Sequence, residues 1–212
     1  MKNIVIYGSG GLGIETLQLI EDINKKEKKW KVLGFIDDVE HNHGKNIMGY
    51  PILGGQEYIK ENKVENVVIA IANPYVREDI SLRIKEFCNF PTLIHPSVDI
   101  PSSTVIHDGC IIFKNSVISV NCSICDFVII NPMCGIGHGT AICRYSTLMW
   151  NVIIAGDVFV MKGCSFGSHS TVLQGLVCGD YSYIGAGATV TKNVVSKHVV
   201  TGTPAKFLKY NK

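Results

Sequence analysis

The 212-residue chain is short of charge and of long apolar runs, and each shortage excludes a class of protein. Charged residues make up 18% and the formal net charge is +2, so no strong field is present to bind nucleic acid or a membrane surface. No stretch reaches the roughly 18 apolar residues that a membrane span needs. The first apolar run, NIVIY, is also too short for the core of a signal peptide, so we expect a cytoplasmic protein.

Cysteine, in contrast, is abundant, with eight in the chain and seven of them between Cys110 and Cys178. Disulfides are not expected in the reducing cytoplasm. Cys122 and Cys125 form one CxxC pair, but no second pair and no HxxxH motif follows it. Because zinc sites normally need such a second pair of ligands, we predict no metal site.

A change of composition near residue 92 divides the chain, and the first part alternates strands with helices. We expect strands over Asn3–Tyr7, Val32–Asp38 and Asn66–Ala72, and helices over Ile14–Ile23, Gly54–Asn62 and from Pro74 to about Phe87. The charged run Asn24–Lys31 between the first two elements is interpreted as a solvated helix end and turn. The order predicts a small Rossmann-like βαβαβ domain over residues 1–92.

Glycine spacing marks the first strand-to-helix turn of this domain. Gly8, Gly10 and Gly13 match G-x-G-x-x-G, a turn in which backbone N–H groups can contact a phosphate. Asp37 follows at about the distance where a ribose-binding acid is expected. A nicotinamide dehydrogenase is one interpretation, but 92 residues make only half of a dinucleotide fold. A mononucleotide or a nucleotide sugar suits the domain better, and a tight turn without a ligand is the remaining alternative.

The second part carries a six-residue repeat. Every sixth residue from Ile94 to Val190 is Ile, Leu, Val or Phe, with Cys178 as the exception. A second series, from Val98, holds small residues at every position but Leu176. Three such hexads close a triangular coil, with large residues inside and small ones at the corners, and the coils bury their faces by stacking. The pattern resembles the hexapeptide-repeat, left-handed parallel β-helix, here over residues 93–212.

The repeat also assigns the cysteines and the scattered histidines. The small corner slots hold four thiols and Cys178 fills a large interior slot, so most cysteines are interpreted as packing residues. The four are Cys110, Cys122, Cys134 and Cys164. His107 and His169 lie 31 residues on either side of His138, which is not a multiple of the 18-residue coil. The three histidines should therefore not stack into one metal site.

A series of motifs adds a family resemblance, which covers about residues 3–208. In chain order they are GSGGLG, FIDD, LIHPS, VIIN, GIGHGTAI, IGAGATVTKNV and VVTGTPAK. Together they resemble the bacterial sugar acyltransferases of the hexapeptide-repeat superfamily, of the bacillosamine-pathway N-acetyltransferase and sialic acid O-acetyltransferase type. The resemblance implies a metal-free homotrimer that uses acetyl-CoA to acetylate a nucleotide-linked amino sugar, with UDP favoured, in bacterial surface glycan or glycoprotein biosynthesis.

The resemblance also implies a catalytic histidine. His138, in the segment IGHG, matches the family's general base, which would take a proton from the attacking amine or hydroxyl. The family normally places an acid directly after this histidine, whereas here the residue is Gly139. Residues 18 apart stack in a β-helix, so we expect Asp157 to stand above Gly139 and to orient His138. The Gly156 N–H is the candidate donor to the oxyanion.

The remaining site residues are carried over by position in the family's motifs. The nucleotide-sugar contacts implied for the first domain are Gly8, Ser9, Gly10, Gly11, Asp37 and Asp38. The acetyl-CoA contacts implied for the second domain, in the groove between adjacent β-helices of the trimer, are Gly156, Ser168, Ala186, Gly202, Pro204, Ala205 and Lys206.

Three functions remain open at this point. N-acetylation is favoured because a free amine needs only modest help from a base, which a lone histidine can give. O-acetylation of a sialic acid or a related sugar is the alternative within the enzyme class. A non-catalytic protein that binds a nucleotide sugar is the alternative from another class.

Overall fold

The computed structural model of the protein describes residues 1–211, and Lys212, which ends the predicted second domain, lies outside the described residues. The chain divides into two compact units, Met1–Leu93 and Ile94–Lys212, one residue later than the expected boundary. Within the described residues, no helix combines the length and the apolar character needed to cross a membrane.

The first unit is built on one five-stranded sheet. Its strands are β1 (Lys2–Tyr7), β2 (Trp30–Ile36), β3 (Asn46–Ile47), β4 (Tyr50–Gly54) and β5 (Val67–Ile69), and its helices are α1 (Gly11–Lys26), α2 (Glu57–Glu61) and α3 (Pro74–Ile84). The strand order is β3-β4-β2-β1-β5, in which β1 pairs in parallel with β2 and β5, and β4 pairs in parallel with β2. The Rossmann-like character expected from the sequence is confirmed, and the carboxyl ends of β1 and β2 meet at one sheet edge.

The structure corrects two expectations for this unit. Strand β2 begins at Trp30, which is buried and whose main chain is bonded on both sides by the Asn24 amide. Residues 25–29 form the expected exposed helix end and turn, and only the last two residues of the charged run belong to the sheet. Strand β4 was not expected, and the helix expected over Gly54–Asn62 is only α2. Strand β4 forms because Ile52 is buried, and its burial brings the short apolar segment around it beside β2.

The second unit is a triangular parallel β-helix, which confirms the hexad reading. Its strands are β6 (Leu93–Ile94), β7 (Val105–Ile106), β8 (Ile111–Ile112), β9 (Val117–Ile118), β10 (Ser123–Ile124), β11 (Ile129–Ile130), β12 (Gly135–Ile136), β13 (Ala141–Ile142), β14 (Thr147–Leu148), β15 (Ile153–Ile154), β16 (Phe159–Val160), β17 (Ser165–Phe166), β18 (Thr171–Val172), β19 (Val177–Cys178), β20 (Tyr183–Ile184), β21 (Thr189–Val190), β22 (His198–Thr201) and β23 (Lys206–Tyr210). From β7 to β21 every third strand joins the same sheet, which gives three faces.

Strand register gives the coil its length. Ile124 pairs with Ile142, and Ile136 pairs with Ile154, so parallel partners are 18 residues apart. The second residue of each two-residue strand points inward, and the resulting columns form one continuous apolar core through the unit. Because each coil covers the face of the next, the position of a side chain along the axis follows from its number alone.

The small corner slots do more than fit a tight turn. In these slots the side chains of Thr104, Ser116, Thr140 and Ser146 donate to the carbonyl 15 residues on. The thiols of the four corner cysteines make the same bond, at 3.1 Å from Cys134 to Met149 O for example. A thiol and a hydroxyl are thus interchangeable donors at a corner, whereas Cys178 lies in the apolar interior between Val160 and Val194.

This difference predicts opposite tolerance of serine at two buried cysteines. We expect Cys134→Ser to change the free energy of unfolding by less than about 1 kcal/mol, because the hydroxyl keeps the bond to Met149 O. Cys178→Ser should cost about 1–3 kcal/mol, since it places a hydroxyl in an apolar column. Unfolding of the two variants in urea, followed by a spectroscopic signal of the β-helix, measures both changes in the free energy of unfolding. Equal costs would contradict the assignment of Cys178 to the interior.

Candidate active site

The candidate catalytic residues lie at one corner of the β-helix. We use "His138 corner" for His138, Gly139, Gly156, Asp157 and Gln174, the turn residues between β12 and β13, between β15 and β16, and between β18 and β19. The three turns stack on consecutive coils, since equivalent residues are 18 apart. Residues that are far apart in sequence are thereby brought within side-chain reach.

His138 and Asp157 are paired across two coils. His138 Nδ1 lies 3.6 Å from Asp157 Oδ1, and the Asp157 N–H donates to His138 O at 2.7 Å. Both side chains are little more than half exposed, at 56% and 55%. The main-chain bond fixes the two turns, so the carboxylate faces Nδ1 and leaves Nε2 free to meet a substrate.

Gly139 leaves the space that the Asp157 carboxylate occupies. A Cβ at residue 139 would collide with Asp157 Oδ1, and the φ of +68° at Gly139 lies in the left-handed region. An acid at residue 139 and the observed rotamer of Asp157 are therefore mutually exclusive. The carboxylate that faces His138 thus comes from the neighbouring coil, at the residue expected from the 18-residue stacking.

Gly156 lies beneath the imidazole. A Cβ added at Gly156 would lie 2.6 Å from His138 Cε1 and Nε2, so only glycine lets the ring rest in this position. The backbone on the other side is equally close, because a Cβ on Gly137 would collide with Gly156 N. Among residues 1–211 the Gly156 N–H donates to no acceptor. The residue that carries this unpaired N–H thus packs against the His138 ring.

This contact predicts the effect of a single methyl group. We expect Gly156→Ala to displace the His138 ring and to lower kcat for acetyl transfer about 10- to 100-fold, because misplacement of a catalytic group by about 1 Å has effects of that size. Steady-state kinetics and a thermal melt together check it. The matched control is Gly135→Ala, on β12 of the same coil, where φ is not left-handed and an added Cβ meets only the end of the flexible Ile153 side chain. Equal losses in the two variants would show that strain in the coil, and not the ring, is responsible.

The other residues predicted to contact acetyl-CoA lie elsewhere on the β-helix. Ser168 and Ala186 stack on each other at the corner that joins β17 to β18 and β20 to β21. The exposed turn Gly202–Lys206 reaches the same region, since Ala205 N donates to Thr189 O. One chain therefore brings these residues together at a corner of their own and does not bring them to the His138 corner.

The first unit presents an open helix N-terminus at the glycine turn. Gly13 packs so closely on Gly8 O that a side chain there would collide, which fixes the turn. Added Cβ atoms at Gly10 and Gly11 would meet nothing within 4 Å, so the entrance is clear. No side chain caps α1, and its first turn has no acidic residue. The first N–H groups of this 16-residue helix are available to an anion.

Asp37 is fixed beside this turn. It accepts hydrogen bonds from the Ser9 hydroxyl, from Val39 N at 2.9 Å and from Asn42 Nδ2 at 3.2 Å. Burial acts to raise the pKa of Asp37, but these bonds outweigh it and hold the pKa below its ordinary value. The carboxylate is therefore charged at neutral pH and oriented by three donors.

Asp38 belongs to a second group, most of which the sequence did not single out. The Tyr7 hydroxyl donates to both carboxylate oxygens at 2.7 and 2.8 Å, and Arg83 lies 3.5 Å away. Burial, and then the bond to Asp38, raise the pKa of Tyr7. Tyr7 could have been found, because it ends β1 where Asp38 follows β2. Arg83 carries no such signal, since it comes from α3. Within residues 1–211, no three metal-ligating side chains are grouped so as to hold an ion.

The sequence and the fold of this chain are similar to those of known proteins. Residues 3–84 match the family described as the PglD N-terminal domain. The chain is 31% identical over 205 residues to the GDP-perosamine N-acetyltransferase of Escherichia coli O157:H7, with 93% of this chain and 81% of that protein covered. The fold matches PerB from Caulobacter crescentus, solved with CoA and GDP-perosamine, at a TM-score of 0.88 and 21% identity over 99% of this chain and 98% of that one. It also matches the acetyltransferase domain of PglB from Neisseria gonorrhoeae FA1090, solved with acetyl coenzyme A, at a TM-score of 0.89 and 21% identity over 98% and 99%.

Proposed function

The chain belongs to the bacterial sugar acyltransferases of the hexapeptide-repeat superfamily, and we propose that it transfers the acetyl group of acetyl-CoA to the amine of a nucleotide-linked amino sugar. The observation that carries the proposal is the His138 corner, where the Asp157 carboxylate lies 3.6 Å from His138 Nδ1 and Gly156 packs against the ring. The similarity to a nucleotide-sugar N-acetyltransferase, over 93% of this chain, favours the amine over a hydroxyl as the nucleophile.

The proposed reaction uses the two sides of the imidazole. His138 Nε2 accepts a proton from the amine as the nitrogen attacks the thioester carbonyl, and Asp157 beside Nδ1 stabilises the imidazolium. The Gly156 N–H donates to the carbonyl oxygen as it becomes an oxyanion. When the C–S bond breaks, the imidazolium returns the proton to the leaving thiolate. The products are the N-acetylated sugar and CoA, and no redox step or metal is needed.

The nucleotide is proposed to bind the first unit. Its phosphates would meet the N–H groups of Gly10 and Gly11 at the start of α1, and Ser9, Asp37 and Asp38 would accept from the sugar or base. The predicted preference for UDP stays a prediction. Two of the relatives named above, the Escherichia coli enzyme and PerB, are described with GDP-perosamine, so GDP-linked substrates have equal priority.

A trimer is part of the proposal because one chain splits the predicted acetyl-CoA contacts between two corners. A groove between two copies would bring the His138 corner of one beside the Ser168 and Ala186 corner of the next. Large apolar side chains exposed on the β-helix fit such contacts, and they include Val117, Val120, Met133, Trp150, Ile153 and Phe159. The proposed location is the cytoplasm, where the buried thiols stay reduced.

One assay tests the function. The purified protein is incubated with acetyl-CoA and a panel of UDP-, GDP- and dTDP-linked amino sugars, with free sialic acid in a parallel arm. We expect thiol release with a nucleotide amino sugar, and a product that gains one acetyl group stable to mild base, as an amide is. A base-labile acetyl group on sialic acid would establish O-acetylation instead. Binding of a nucleotide sugar without thiol release in any arm would show that the chain is a non-catalytic protein that binds nucleotide sugars.

A further inference from the structure

We propose that Gln174 is a positioning residue, which holds the carboxylate of Asp157 in the orientation that serves His138. This proposal rests on the proposed function of the His138 corner. Gln174 lies 36 residues after His138, so it occupies the same corner two coils further on. The histidine, the acid and the amide thus stand on three consecutive coils, one residue on each.

The two oxygens of Asp157 are divided between two partners. Oδ1 lies 3.6 Å from His138 Nδ1, and Oδ2 accepts a hydrogen bond from Gln174 Nε2 at 3.1 Å. Within the described part of the chain, Gln174 is the one side chain that donates to this carboxylate. The amide therefore fixes the plane of the carboxylate from the side opposite the imidazole.

The need for this bond follows from the surroundings of Asp157. Its side chain is 55% exposed and, with Gly139 beside it, no methyl or methylene group at residue 139 limits its rotation. An exposed carboxylate at 3.6 Å from its imidazole is held weakly by that contact alone, because solvent competes for both groups. A donor on the far oxygen restricts the rotation that would carry Oδ1 away from His138.

The main chain keeps Gln174 in place. The following residue, Gly175, donates its N–H to Gly156 O at 3.1 Å, so the turn that bears Gln174 is tied to the turn that bears Asp157. The same link joins the lower pair of coils, where the Asp157 N–H donates to His138 O. The three side chains therefore keep a constant spacing, and the contact between Gln174 and Asp157 follows from the coil.

The experiment compares Gln174→Ala, Asp157→Asn and the double variant with the full-length wild type. We expect Gln174→Ala to lower kcat/KM about fivefold with little change in the KM for acetyl-CoA, because one hydrogen bond to a charged group is lost. The double variant should lie within about twofold of Asp157→Asn, since Gln174 acts only through that carboxylate. The control is Arg144→Gln, which breaks another contact between stacked coils, to Asp126 at 2.8 Å, and should leave the rate unchanged.

A second readout needs no turnover. The NMR signals of the His138 ring at one fixed pH, assigned with His138→Ala, should move in Asp157→Asn and move part of the way in the same direction in Gln174→Ala, because the carboxylate beside Nδ1 is removed in the first and released in the second. His138 ring signals in Gln174→Ala that coincide with the wild type would overturn the proposal. So would effects of the two single variants that simply add. Shifted ring signals in a protein that acetylates no sugar would support the role of Gln174 and reject the proposed function.

Discussion

Replacing His138 by alanine is expected to lower kcat for acetyl transfer by 10² to 10⁴, roughly the contribution of a positioned general base. In the variant no side chain remains at this corner to accept the proton from the amine, since Asp157 is directed at Nδ1 from the far side of the ring. The KM for the nucleotide sugar should change little, because its proposed contacts lie in the first unit. Steady-state kinetics with the best substrate of the panel measures both quantities.

The matched control for this variant is His107→Ala. His107 is an exposed histidine of the same β-helix, on a different column, and takes no part in the proposed reaction. It should keep wild-type kcat, and both variants should melt with the wild type because neither ring is buried. A His138→Ala variant with more than about a tenth of wild-type kcat would remove His138 as the base.

The β-helix could be predicted almost completely because its period fixes both burial and neighbours. Once hexads are recognised, the interior column follows, and so does the rule that residues 18 apart stack. The same arithmetic places Asp157 above Gly139, and the structure shows its carboxylate beside His138. Gln174 obeys that rule too, but an exposed glutamine in a turn has no feature that marks it until the contact with Asp157 is seen.

The first unit could be predicted less fully because its contacts are not periodic. The glycine turn and the acids that follow β2 are local signals, and they were sufficient for the Rossmann-like class. Burial of Trp30 within a run of lysines depends on the Asn24 side chain, and β4 forms only because β2 offers an edge. The contact of Arg83 with Asp38 joins α3 to the end of β2, a pairing that no sequence spacing specifies.

The carboxylate that faces His138 belongs to Asp157 on the neighbouring coil, while the residue directly after His138 is Gly139. We expect Asp157→Asn and Asp157→Gly to lower kcat about 10- to 100-fold, because the imidazolium loses its carboxylate. The loss should be smaller than for a buried triad, since both groups are half exposed and water can replace part of the stabilisation. Steady-state kinetics at one pH at which the variants stay folded measures the loss.

The double variant Gly139→Asp/Asp157→Gly separates charge from position. Gly139→Asp alone should be poorly active, because its Cβ collides with Asp157 Oδ1 and two carboxylates would share one site. Removing Asp157 clears that space, and aspartate tolerates the left-handed φ at residue 139, as Asp157 itself does at +57°. The double variant should therefore recover to within about tenfold of wild-type kcat. A double variant no better than Asp157→Gly would show that the acid serves His138 only from the neighbouring coil, where Gln174 holds it.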